Sequence, residues 1–138
     1  MKAKSIKGKS PEEINASLQQ CISASFKPTL AIVFSSVSQN RKAICEILDN
    51  TGIKIFGATT NGEFIDENPE KHSTVILLMD MNPAHFSIFL SEYPQRNFRE
   101  VARTIAVKAK EVFPIPRFLF PELILSPTLN RSYLDLKM

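Results

Sequence analysis

Two apolar runs joined by one helical stretch constrain the possible folds of this chain more than any other feature. Thr29-Leu30-Ala31-Ile32-Val33-Phe34 is apolar without alternation, the pattern of a strand covered on both faces. From Ser38 or Asn40 to Asn50, the residues Ala43, Ile44, Ile47 and Leu48 fall on one helical face, and Gly52 stands at a stop position. Ile53 to Phe56 then returns as a strand. Strand, helix, strand with short joints is a βαβ unit, which implies parallel strands and a right-handed crossover. The expected class is α/β, with a mixed sheet layered by helices.

The flanking segments extend this pattern. Ser10-Pro11-Glu12-Glu13 carries a serine N-cap, a proline at the first helical position and a glutamate placed for a capping box. A helix is expected from there to about Ser25, burying Ile14, Leu18, Cys21 and Ile22. Asp66 to His72 reads as a charged surface loop, and Thr74 to Met81 with His85 to Ser91 as an antiparallel hairpin across Asn82-Pro83-Ala84. Asn97 to Phe113 predicts a third helix, with Val101, Ile105 and Val112 on one face. Pro114 and Pro116 stop it, and Phe118-Leu119-Phe120 opens a further strand that Pro121 interrupts. The expected organisation is a basic tail over residues 1–9, one domain over 10–120 and an irregular proline-interrupted tail over 121–138.

Charge excludes some partners. Lys and Arg number 17 against 14 Asp and Glu, but Lys2, Lys4, Lys7 and Lys9 sit at the start, leaving 13 against 14 for the body. A near-neutral body offers no basic stripe for nucleic acid, and the lysines read as a solvated terminus. No apolar run approaches a membrane span or a secretory signal, so a cytoplasmic protein with no membrane partner is expected. Cys21 and Cys45 lie in helical segments without Cys-x-x-Cys or histidines at ligand spacing, which gives no sign of a disulfide framework, metal or cofactor.

Chemistry concentrates where the second strand ends. From Gly57 through Ala58, Thr59, Thr60, Asn61 and Gly62 to Glu63 the side chains are small or polar, which reads as a turn where backbone approaches a ligand and hydroxyls and an amide bond it. Ser35 and Ser36 close the preceding strand, so parallel pairing places both groups on one rim, where α/β sheets bind ligands. Backbone amides at Gly57 and Gly62 suit a carboxylate, Glu63 an ammonium, and Arg41 is a marginal anion contact. The competing reading is a tight Asn61-Gly62 turn with threonines satisfying nearby backbone.

Taken together, Ser35-Ser36, the helix, and the strand into Gly57, Thr59, Thr60, Gly62 and Glu63 resemble the FIST N-terminal domain of F-box and intracellular signal transduction proteins. The resemblance covers roughly Ser10 to Phe120. It implies a sensory module that binds a small polar ligand, with amino acids among the candidates, and signals through an attached output rather than catalysing a reaction. It also implies that the domain is incomplete here, since family members continue past this length and are usually followed by a second FIST domain; a truncated or frame-shifted end is the expectation.

Two other readings stand beside sensing. An interaction module would pair with a second copy as a homodimer through an exposed sheet edge. A small serine hydrolase would use Ser35 or Ser36, although no Gly-x-Ser-x-Gly elbow or activating His and Asp pair is legible. Neither a phosphate loop nor Gly-x-Gly-x-x-Gly is present.

Overall fold

The computed structural model describes residues 1–60, 72–92 and 97–115, together with the backbone of Glu63–Ile65 and Asn68–Glu70. In chain order the elements are strand β1 (Lys2–Gly8), helix α1 (Pro11–Cys21), β2 (Leu30–Ser36), α2 (Arg41–Asn50), β3 (Lys54–Thr60), β4 (Glu63–Ile65), β5 (Asn68–Glu70), β6 (Thr74–Asp80), a 3-10 turn at Pro83–His85 and α3 (Phe98–Val112). One sheet has the order β1-β6-β2-β3, while β4 and β5 pair antiparallel as a separate hairpin. β2 is parallel to β3 and antiparallel to β6, which is in turn antiparallel to β1. The βαβ unit and the mixed sheet are both present.

Register sorts the side chains into two faces. On one, Lys4, Leu78, Ala31 and Ile55 form a row across the sheet, and Ile6, Ile76, Val33 and Gly57 form the next. Ile14 and Leu18 of α1 and Ile44 and Leu48 of α2 pack with Ile6, Ala31, Val33, Ile76 and Leu78 in a single buried cluster. Each of the Ile, Leu and Val side chains contributes roughly 1.5–3 kcal/mol when fully buried. The other face carries Leu30, Ile32 and Phe34 from β2, Val75, Leu77 and Met79 from β6, and Phe56 from β3. Leu30 and Val75 are buried there and the others half-buried. Apolar residues on both faces explain why β2 reads as an unbroken apolar run.

Local chemistry sets the helix ends. Ser10 Oγ accepts from the Glu13 amide at 3.3 Å, but Glu13 Oε2 accepts from the Lys9 amide at 2.8 Å instead of the Ser10 amide, so the capping box is formed one residue out of place. A hydrogen bond from Ser10, then one from its own backbone amide, holds the exposed Glu12 carboxyl below its ordinary range. Its interaction is therefore present at neutral pH and is lost as pH falls through the folded-state pKa. α1 ends at Cys21, short of Ser25, because Ser23 and Phe26 exchange backbone hydrogen bonds of 3.0 and 3.2 Å in a turn that buries the Phe26 ring. Asn40 Oδ1 accepts from the Ala43 amide at 3.2 Å to start α2. At the other end, the Gly52 amide reaches Asp49 O at 2.8 Å and the Ile53 amide reaches Leu48 O at 3.2 Å. This is a Schellman close, and Gly52 supplies its left-handed residue at φ 75°.

Four expectations are corrected. Residues 2–8 are no solvated tail but an edge strand, since Ile6 buries in the core and alternation sets Lys2 and Lys4 on the helix side. Lys4 Nζ donates to Cys21 O at 3.3 Å and sits 4.8 Å from the Phe26 ring centroid, and Lys2 Nζ donates to Ser25 O at 2.7 Å. Lys4 thus serves the carbonyl end of α1, whose last turn has no basic residue, and Lys2 the turn that follows it. Secondly, strand geometry does not stop at Gly57: β3 continues to Thr60 because β2 supplies a parallel partner through Ser36.

Thirdly, His85 to Ser91 forms no strand. β6 already has β1 on one side and β2 on the other, which leaves no edge for a hairpin partner, and Pro83 enters a 3-10 turn whose Ala84 amide donates to Asn82 Oδ1 at 3.0 Å. Fourthly, the expected charged loop contains β5, with Pro69 opposite Phe64. α3 matches its expected span within a residue at each end; Val101 and Ile105 are half-buried and Ala109 buried, but Val112 is exposed. Phe118–Phe120 and the tail over 121–138 lie outside the described residues.

Of the described glycines, Gly57 leaves the least room for a side chain. A Cβ there would run into the Val33 carbonyl oxygen and would lie 2.8 and 2.9 Å from the Val33 carbonyl carbon and amide nitrogen. Those are backbone atoms that cannot swing aside. Gly57→Ala should therefore cost about 3 kcal/mol or more, against about 1 kcal/mol for Gly52→Ala, which meets open space and strains only φ. Urea denaturation of the two variants measures this, and equal costs would contradict the assignment.

Candidate functional site

Because β1, β2 and β3 all run the same way, their carboxyl ends share one rim with the amino end of β6. The chain leaves β1 for α1 through Lys9 and Ser10, and leaves β2 for α2 through Val37 to Asn40. Both helix N-termini therefore lie on the side of the sheet where the candidate residues were expected.

Register brings the predicted residues together but splits them between faces. Ser35 pairs with Thr59 and Ser36 with Thr60. Ser35 is buried on the helix-side face, where its Oγ lies 2.7 Å from Thr74 Oγ1. Thr59, next in that row, is exposed. On the opposite face, Ser36 is buried and its Oγ lies 3.0 Å from Ser38 Oγ, and Thr60 is half-buried. Gly57 and Ala58 sit inside β3, both half-buried, and Gly57 serves close strand contact. Glu63 begins β4, and Arg41 is the exposed first residue of α2. Asn61 and Gly62 lie outside the described residues.

Three residues that sequence reasoning passed over complete the rim. Ser38 Oγ lies 3.2 Å from His72 Nδ1. Gln39 Nε2 donates to Lys9 O at 3.1 Å and to His72 O at 2.8 Å, using both amide hydrogens to tie the β1 exit to the chain leading into β6. The Ser36 amide donates to Ser73 O at 2.9 Å, extending the β2–β6 ladder to the same place. His72 itself stands at φ 57°, the left-handed region, as the chain turns into β6. Local sequence carries no signal for these contacts, because Ser38 and His72 are 34 residues apart and only strand pairing joins them.

The rim thus presents hydroxyls, an imidazole, a side-chain amide and the exposed Thr59, with Arg41 at its edge. Such a set can hydrogen-bond a small polar molecule as donor or acceptor. Among the described residues no group of three or more His, Cys, Asp or Glu side chains is placed to hold a metal, and Cys21 and Cys45 are half-buried and not joined in a disulfide. No helix among them is long and apolar enough to cross a membrane.

Comparison of the chain with known protein families, characterised proteins and solved structures gave no match.

Gln39→Ala removes both rim ties and should cost about 1 kcal/mol, raising local opening about 5-fold. Hydrogen exchange of the Ser36 amide reads this directly. The Lys54 amide, bonded to Thr29 O at 2.9 Å at the far end of the sheet, should be unchanged.

Proposed function

We propose that this chain is a sensory domain that binds a small polar ligand, an amino acid or a similar small acid, at the rim where β2 and β3 end. The observation that carries this reading is the parallel register of Ser35 with Thr59 and Ser36 with Thr60, which sets two polar strand ends beside two helix starts. That is the crevice in which open α/β sheets hold ligands. The resemblance of Gly57, Thr59, Thr60, Gly62 and Glu63 to the FIST turn supports the same place. In this reading the ligand bonds Thr59, Thr60 and the Ser38–His72 edge, while Ser35 and Gly57 hold the strands that present them.

Signalling follows from differential affinity: a ligand that favours one arrangement of the rim shifts a conformational equilibrium sensed by an attached module. We propose a cytoplasmic setting for that role.

A thermal-shift screen against amino acids and small organic acids tests the reading, because a ligand selective for the native state raises its stability. At 100 times its dissociation constant a true ligand stabilises by about 2.7 kcal/mol. Thr59→Val keeps the strand-favouring shape of an exposed side chain but deletes one hydroxyl, so affinity should fall roughly 2- to 10-fold with unliganded stability unchanged. A full panel without a shift, or a ligand indifferent to Thr59→Val and Thr60→Val, would count against the rim.

A further inference from the structure

The Ser38 to His72 contact is more than a feature of a binding rim. Ser38 Oγ stands 3.2 Å from His72 Nδ1 and 3.0 Å from Ser36 Oγ. From these contacts we propose that Ser38 is a nucleophile with His72 as its general base, and that this rim accepts small activated acyl esters.

Four observations carry this. First, the Ser38 hydroxyl lies within hydrogen-bond reach of an imidazole, the geometric requirement for activating a serine. Ser35 is committed to Thr74 in the interior and Ser36 is buried, so neither serine first suspected of hydrolysis is placed for attack. Secondly, Ser38 and His72 are both exposed, which leaves the pair accessible to a substrate.

Thirdly, both partners are held. Ser38's amide donates to Ser36 Oγ at 3.4 Å, and the His72 carbonyl accepts from Gln39 Nε2 at 2.8 Å, so the backbone on each side of the contact is fixed through the turn that contains Ser38. His72 also occupies the left-handed region, a conformation that non-glycine residues keep where surrounding contacts hold it. Fourthly, Ser38 lies in the turn between a parallel strand and the start of α2, whose first-turn partial positive charge favours an oxyanion formed nearby.

The reaction balances without a cofactor. Ser38 Oγ attacks the ester carbonyl carbon, its proton passes to neutral His72 at Nδ1, and the carbon–oxygen bond to the alcohol breaks as that proton is returned to the leaving oxygen. Water then attacks the acyl-serine, giving a proton to His72 and releasing the carboxylic acid as Ser38 regains its proton. Ser36 lies behind Ser38 and serves as a positioning residue.

A fluorophosphonate probe tests the proposal on the full chain, since Oγ attack on phosphorus with loss of fluoride leaves a stable adduct that peptide mass spectrometry locates. The expected result is an adduct on Ser38 and hydrolysis of p-nitrophenyl acetate that is lost in Ser38→Ala. His72→Asn is the informative second variant, because asparagine tolerates the left-handed backbone and circular dichroism verifies its fold. It should slow labelling about 100-fold or more. An adduct elsewhere or none in the wild-type chain, or His72→Asn labelled at the wild-type rate, would overturn the proposal. Ligand-induced thermal shifts depend on Thr59 and Thr60 rather than on Ser38 reactivity, so this proposal and the sensory reading fail separately.

Discussion

The close backbone approach of β3 to β2 at Gly57 is the constraint on which the rest of this structure depends. β2 carries hydrogen-bonded neighbours on both sides, so its position is fixed by two ladders of opposite sense. Gly57 brings β3 against Val33 without a side chain between them. With that contact in place, register assigns the partner of every later residue, and Ser35-Ser36 must end beside Thr59-Thr60. A slip of one residue would exchange the two faces, sending Ile55 away from the helices and Phe56 beneath them. The motif glycine that invites a ligand-contact explanation therefore acts one step earlier, by setting the strands that create the rim.

Helix placement follows from the same sheet. α1 and α2 lie on the face that shows Ile6, Ala31, Val33, Ile76 and Leu78, and their buried residues complete one cluster. Because β1 and β2 point the same way, both helices begin at the rim and carry their carbonyl ends away from it. At that far end, Lys2 and Lys4 donate to carbonyls at and after the close of α1. Cations at a helix C-terminus are favourable electrostatically, and a neighbouring strand supplies them here. At the near end, Gln39 and the Ser38–His72 contact join the exit of β2 to the start of β6, giving the rim its own polar lacing.

Sequence legibility tracked the range of each interaction. The serine cap of α1, the glycine close of α2 and the βαβ unit depend on residues near one another in the chain, and they are readable there. The β1 strand was hidden because its lysines look solvated until a partner strand and the end of α1 are in place. The extent of β3 was hidden because glycine and threonines mimic a turn when their hydrogen-bonding partner is unseen. The false hairpin after β6 arose from a sound local spacing that long-range pairing with β1 and β2 overrides. Within the rim, Ser35, Ser36, Thr59 and Thr60 could be placed from the parallel-strand rule. His72 and Gln39 could not, since β6 inserts between β1 and β2 and nothing local announces that order.

Polar strand ends gathered at one rim form a place where a small polar ligand can bond. Amide chemical-shift mapping during titration with amino acids and small carboxylic acids tests this most directly. Binding at the rim should gather shifts at Ser36 to Arg41, Ala58 to Thr60 and His72 to Thr74. Saturable shifts confined instead to the opposite end of the sheet, around Lys27 to Leu30, Lys54 and Asp80 to Asn82, would contradict it.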